Sequence, residues 1–268
     1  MLTTQERMEV FHEVLNRLAP EARACLTTDL TPQAGTPAIS LQGLLHRLGP
    51  VPHYSALIGM CEDGLPFLFD LKDPSAGSIL IVGDENSGKT RLLQTVLSSA
   101  SALNPPEDVM FYVITTNPGR YQSMEKAGNC NTVLSAYDRL ASELVVELAE
   151  LTEERRYGRN RGNVEILAID DLAAFVQNND YEVNAYLKWL VEHGPRSAVW
   201  SIATILPAQA WRIRGGLMEA FGTQLTGWTS SHQLPPEIQS QPVNQGDPEM
   251  FIAALGEEWV RFWVPDID

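Results

Sequence analysis

Ser78-Ile-Leu-Ile-Val-Gly-Asp-Glu-Asn-Ser-Gly-Lys-Thr90 decides how the rest of this chain is read. Four apolar residues, Ile79 to Val82, run straight into G-x-x-x-x-G-K-T, and behind it Leu92, Leu93, Val96, Leu97, Ala100 and Leu103 recur at helical spacing. Strand, glycine loop and helix in that order make a phosphate-binding loop. Gly83 and Gly88 let the backbone fold around an anion, and the N–H groups of Asp84, Glu85, Asn86 and Ser87 face inward as a nest. The helix begins with its positive dipole end toward the same point. Lys89 is expected on the β- and γ-phosphates and Thr90 on Mg²⁺, so Gly83 to Arg91 forms the expected segment for ATP with Mg²⁺.

Outward from this loop, strand and helix signals alternate. Apolar runs predict strands over 78–83, 109–115, 164–170 and 198–204, and periodic patterns predict helices over 89–103, 137–157 and 181–192. Such alternation implies an α/β fold, a mostly parallel sheet with helices on both faces. A helix at about 212–221, a strand near 223–229 and a hairpin of 250–255 with 259–264 complete it, after a Pro-, Gln- and Ser-rich loop over 230–249. Upstream, 56–61 and 66–71 flank Glu62-Asp63-Gly64 as a hairpin, and a short helix covers 41–48. Residues 5–18 put Met8, Phe11, Val14, Leu15 and Leu18 on one helical face, and the Thr- and Pro-rich stretch 27–38 reads as a linker. The expected division is a helical appendage at 1–38 and an ATPase domain at 39–268.

Composition bounds the function. The chain has 268 residues, a hydrophobic share of 44% and a net charge of −15, against the basic footprint of a protein that grips nucleic acid by its phosphates. Cys25, Cys61 and Cys130 are scattered and have no metal-ligand spacing, so neither a disulfide framework nor a zinc site is indicated. No apolar run approaches membrane-spanning length, and the first residues lack the pattern of a signal peptide. A cytoplasmic location without membrane insertion is the expectation.

A phosphate loop needs a second carboxylate at the end of a neighbouring strand, and Val164-Glu-Ile-Leu-Ala-Ile-Asp-Asp171 supplies it. Asp170 is the expected metal partner. Asp171 stands where a carboxylate polarises the attacking water, a task that needs hydrogen-bond reach. It is one methylene shorter than the more usual glutamate, so slow hydrolysis is one outcome the residue allows.

Taken together, several segments resemble the motor domain of the FtsK/HerA group of P-loop ATPases. They are Gly59-Met-Cys-Glu-Asp-Gly64 with Asp70-Leu71, the loop itself, Glu153-Glu-Arg-Arg-Tyr157, the strand ending in Asp170, Ala198-Val-Trp-Ser-Ile-Ala-Thr204 with Pro207, and Thr223-Gln-Leu-Thr-Gly-Trp-Thr-Ser-Ser231. The likeness spans roughly 55–265. It implies a RecA-like sheet, a ring or other oligomer and ATP turnover; the family's polar sensor of the γ-phosphate is missing here, with Thr204 alone as a partial replacement. The sequence departs from the family at Ile205-Leu206, where the family has Gln-Arg, at Gln224, where it has arginine, and at Asn117, near a family aspartate. Arg196, just before its strand, remains the candidate for an arginine acting on a neighbouring subunit's nucleotide.

The main expectation is therefore an ATPase that moves or remodels double-stranded DNA. The alternatives are an ATP-binding regulatory or assembly subunit with little hydrolysis, and an ATPase for protein translocation.

Overall fold

The structure is a computed structural model and describes residues 40–49, 51–159, 162–229, 249–255 and 258–267. The expected helix at 5–18, the linker at 27–38 and nearly all of the loop at 230–249 lie outside these.

Chain order runs α1 (Leu41–Leu48), β1 (Ser55–Cys61), β2 (Pro66–Asp70), β3 (Ile79–Val82), α2 (Lys89–Leu103), β4 (Val109–Thr115), β5 (Cys130–Ser135), α3 (Arg139–Arg156), β6 (Val164–Asp170), α4 (Leu172–Asn178), α5 (Tyr181–His193), β7 (Val199–Ile205), β8 (Thr223–Thr226), β9 (Met250–Leu255) and β10 (Glu258–Trp263). The strands form one sheet in the order β2-β1-β10-β9-β8-β3-β7-β6-β4-β5. From β8 to β5 every pairing is parallel, whereas β8 to β2 continues through antiparallel pairs.

The central parallel strands β3, β7, β6 and β4 are covered on both faces, which is why they read as apolar runs. Along β6, Ile166 and Ala168 join the cluster that holds Leu92, Leu93, Val96 and Leu97 of α2. Leu167 and Ile169 point the other way, into the cluster with Leu144, Val145 and Leu148 of α3, Leu172 and Phe175 of α4, and Leu187 and Leu190 of α5. Helices thus cover both faces, as the alternating pattern predicts. At the antiparallel end Leu41 and Leu44 of α1 pack on Leu57, Met60 and Trp263.

Two expectations are corrected. The stretch 212–221 is not a helix: a 3₁₀ segment, Pro207–Arg212, precedes turns at Gly215 and Gly216, whose φ values of 77° and 73° break any helical run. The strand near 223–229 stops at Thr226. Strand β5 and helix α4 add to the alternation read from the sequence.

Candidate nucleotide site

Parallel strands deliver their carboxyl ends to one edge, and ligands of open α/β sheets bind outside that edge. β3 sits between β8 and β7, and β6 follows β7, so the phosphate loop and the acidic strand flank the end of β7. The register places Ile81 opposite Thr204 and Ala203 opposite Ile169, which brings Thr204 and Asp170 to the same level.

Two glycines shape the loop. At Gly83 a Cβ would sit 2.4 Å from Ser87 Oγ and 3.3 Å from the Trp228 carbonyl oxygen, so only a hydrogen fits. Gly88, at φ 83° and ψ 5°, turns the chain into α2 as its N-cap without any side-chain cap. The loop is pinned from below: Gly83 N–H donates to Ile205 O at 3.4 Å, Asp84 N–H to Trp228 O at 2.9 Å, and Ser87 N–H to Asp84 O at 3.2 Å. The N–H groups of Glu85, Asn86, Gly88, Lys89, Thr90 and Arg91 donate to no acceptor within the described chain. A helix start lacking intrahelical partners for its amides is an anion site, and these residues fit a polyphosphate.

Lys89 lies back across the loop, donating from Nζ to Asp84 O at 2.6 Å and to Ser87 Oγ at 3.4 Å. Burial pushes its pKa down, while Asp170, Asp84, Asp171 and Glu85 pull the other way. A desolvated ammonium among carboxylates favours a polyanionic ligand that satisfies it.

Opposite the loop, hydroxyls converge on Asp170, which is buried. Thr90 Oγ1 donates toward both carboxylate oxygens, at 3.1 and 3.2 Å, and Thr204 Oγ1 donates to Oδ1 at 2.8 Å. Thr204 in turn accepts the Asp171 N–H at 2.9 Å. No group of three or more His, Cys, Asp or Glu among the described residues is placed to hold a metal ion by itself. One hydroxyl and one carboxylate suit Mg²⁺, which keeps several waters and takes remaining ligands from phosphates. Thr90 and Asp170 are the groups that would hold it.

Asp171 is placed differently from its neighbour. Its backbone is left-handed, φ 82° and ψ 72°, and its carboxylate accepts the Ala174 N–H at 3.0 Å as the N-cap of α4. The residue lines a cleft with Tyr137, Ala174, Gln177, Gln209 and Arg212. One oxygen is thus engaged in capping rather than left to a water.

Arg91 and Arg196 are not brought to the phosphates. The Arg91 side chain turns away to Glu249 at 2.9 Å and Asp266 at 2.5 Å, leaving its backbone N–H in the helix's first turn. Arg196 is exposed in the 3₁₀ segment before β7, at the opposite edge of the sheet from its own loop. Glu85 and Asn86 form the exposed loop tip, with Asn86 at φ 60°. Among the departures from the family, Ile205 is buried in the second core, Gln224 reaches only Thr226 Oγ1, and Asn117 is exposed.

Sequence reasoning passed over Tyr121. It sits in the 3₁₀ turn Pro118–Tyr121 after β4, fully buried, its hydroxyl without a hydrogen-bond partner. Burial and then the Asp170 charge push the phenol's pKa well up, so it stays a donor. The only signal for it was a lone aromatic after Pro118-Gly119-Arg120, where a strand meets the site edge.

With this geometry in place, comparison with known proteins adds the following. The profile described as FtsK/SpoIIIE family matches residues 52–194. The ESX-3 secretion system protein EccC3 of Mycobacterium tuberculosis (strain ATCC 25618 / H37Rv) is 30% identical over 134 residues, covering 44% of this chain and 10% of that protein. The chain is thus similar to a small part of a much longer relative. Among solved structures, EssC (ATPases 2 and 3) from Geobacillus thermodenitrificans superposes with a TM-score of 0.68 at 16% identity, covering 89% of this chain and 48% of that one. Thermomonospora curvata EccC (ATPases 2 and 3), solved with a signal sequence peptide, gives 0.63 at 17%, covering 80% and 43%. These two likenesses establish the fold. None of these relatives supports the expectation of double-stranded DNA as partner.

Proposed function

Since the profile match takes in more than half of its length, the chain belongs to the FtsK/SpoIIIE family, and from that premise we propose that it binds ATP with Mg²⁺ and serves protein translocation. The observation that carries the nucleotide reading is the meeting of Thr90, Thr204 and Asp170 beside a loop whose amides lack protein acceptors. The bound metal would supply charge neutralisation between the β- and γ-phosphates. Around it, Lys89 takes the γ-side charge, Thr90 offers its hydroxyl, and Thr204 fixes both Asp170 and the Asp171 backbone.

The protein-translocation part rests on the name of EccC3, a secretion system protein, on the signal sequence peptide bound to EccC, and on the acidic balance of the chain. It is preferred to the DNA motor for these reasons. No helix among the described residues is long and apolar enough to cross a membrane. Arg196, exposed at the edge away from its own loop, would reach a nucleotide only in an oligomer, on a neighbouring subunit.

Ligand binding to the native state alone raises the melting temperature, so ATP with Mg²⁺ at millimolar concentration is expected to add several degrees, and Lys89→Ala to remove the gain. An unchanged melting curve for the wild type overturns the nucleotide reading. Hydrolysis is expected to be indifferent to double-stranded DNA at low and moderate salt; DNA-dependent stimulation overturns the preference for protein translocation.

One observation favours a variant of this reading, slow turnover. Asp171 is held as a helix cap, and the positions of the family's polar sensor are Ile205 and Leu206. If Asp171 is not the base, Asp171→Asn leaves hydrolysis within about 2-fold; if it is, the loss is about 100-fold or more, the usual range for a general base.

A further inference from the structure

Asp170 receives donors from Thr90 and Thr204, yet a carboxylate has about four acceptor positions and Oδ2 is met only by the long Thr90 contact of 3.2 Å. A third group faces this carboxylate: the Tyr121 hydroxyl, wholly enclosed, within electrostatic reach of Asp170 and without a hydrogen bond of ordinary geometry. Its placement is built into the fold. β4 pairs with β6 so that Thr115 lies opposite Asp170, and the turn Pro118–Tyr121 brings the ring into the core cluster that holds Ile166 and Ala168 of β6 and Leu92 of α2. The turn is fastened to the loop's own helix by Gln94 Nε2, which donates to Arg120 O at 2.7 Å. Phenylalanine would fill the same space without bringing a hydroxyl into the interior.

We propose that Tyr121 is a positioning residue for the metal side of the nucleotide site: when Thr90 turns its hydroxyl to the metal, Tyr121 donates to Asp170 in its place. The carboxylate then keeps its rotamer and its aim at the metal's water shell. Thr204 alone, bound to Oδ1, would leave Oδ2 without a donor. Burial, and after it the charge and hydrogen-bonding reach of Asp170, hold the phenol protonated, in keeping with this geometry. This rests on the reading of the site as one for ATP with Mg²⁺.

Tyr121→Phe removes one oxygen and keeps the ring in the core. Partners just outside a metal's own ligands tune affinity by about 10-fold to 100-fold. With the full chain and saturating ADP, we expect the Mg²⁺ concentration for half-maximal thermal stabilisation to rise about 10-fold in Tyr121→Phe. The melting temperature without Mg²⁺ or nucleotide should stay the same or rise, because an unpartnered buried hydroxyl has gone. In an Asp170→Asn background the same substitution should have no further effect on the Mg²⁺ midpoint. An unchanged Mg²⁺ midpoint overturns the proposal, as does a lowered ligand-free melting temperature with no Mg²⁺ effect, the mark of a merely structural tyrosine. Wild type that ADP and Mg²⁺ fail to stabilise overturns the nucleotide reading and this inference with it; a stabilised wild type beside a variant with the same Mg²⁺ midpoint overturns this inference alone.

Discussion

Strand β6 carries a buried acid at each end, and the two are treated in opposite ways. At its start Glu165 meets a cation: Arg155 of α3 stands 3.6 Å away, both side chains less than a tenth exposed, and the guanidinium also donates to Ser197 O and Ala198 O at 3.1 and 3.3 Å. At its finish Asp170 has no salt bridge to an arginine or lysine among the described residues and is held by hydroxyls. Arg155 and Glu165 balance each other's charge within the chain, although Arg155 Nε and Glu165 Oε2 keep no hydrogen-bond partner, so this edge calls for no ligand charge. Hydroxyls are neutral, and so they leave a carboxylate's charge available to a cation that arrives with a ligand. One edge of the sheet is finished by the chain itself, while the other is arranged so that a ligand completes it.

The largest expected effect breaks the closed edge. Arg155→Met leaves Glu165 buried without a cation and strands two carbonyls, which should cost about 3–5 kcal/mol in denaturant unfolding. The nucleotide affinity of the folded fraction should move less than 2-fold; a large loss of affinity would show that the two edges are not independent. Next comes Thr204→Val, which keeps shape but deletes the donor to Asp170 and the acceptor of the Asp171 N–H. A hydrogen bond to a charged group contributes about 1.5–3 kcal/mol, and we expect that loss to appear both in unfolding and in Mg²⁺-dependent nucleotide stabilisation. An effect confined to unfolding would make Thr204 a strut only.

The smallest effect is one of pH. Desolvation raises the Glu165 pKa, and Arg155 and Tyr112 only partly offset it. A carboxyl whose folded value lies above its unfolded one adds stability that is fully present below the unfolded value, about 4.3, and lost as pH rises through the folded value. The unfolding free energy of wild type minus that of Glu165→Gln should therefore decline with rising pH from about 4 upward until the raised value is passed. A difference that grows over the same interval would mean that the arginine, not burial, governs this carboxyl.

Much of this arrangement was legible in the sequence because burial on both faces leaves uninterrupted apolar runs. Helix α2 and strands β4 and β6 have the very limits that their patterns predict, 89–103, 109–115 and 164–170. Where burial is partial the signal fades. Strand β5, Cys-Asn-Thr-Val-Leu-Ser at the sheet's outer edge, is mostly half-buried and shows neither alternation nor an apolar run. Conversely, 212–221 carries helical-looking hydrophobes, but the paired glycines decide its backbone. At the site, Lys89, Thr90 and Asp170 could be named because their spacing is local to a loop or a strand end. Tyr121 could not, since only the β4–β6 register carries it to Asp170. The capping role of Asp171 depends on a short helix that a seven-residue stretch barely announces.

Arg91 gives the loop a tie that the strand order alone does not. Its side chain grips Glu249, Asp266 and the Pro265 carbonyl, while the Asp266 carbonyl receives the Leu41 N–H at 2.6 Å. The residue next to Thr90 is thereby a rivet through the far ends of the fold. Fraying of the last strand would loosen the first turn of α2 with it, so the resting shape of the phosphate cradle is underwritten by segments more than a hundred and fifty positions away in the chain.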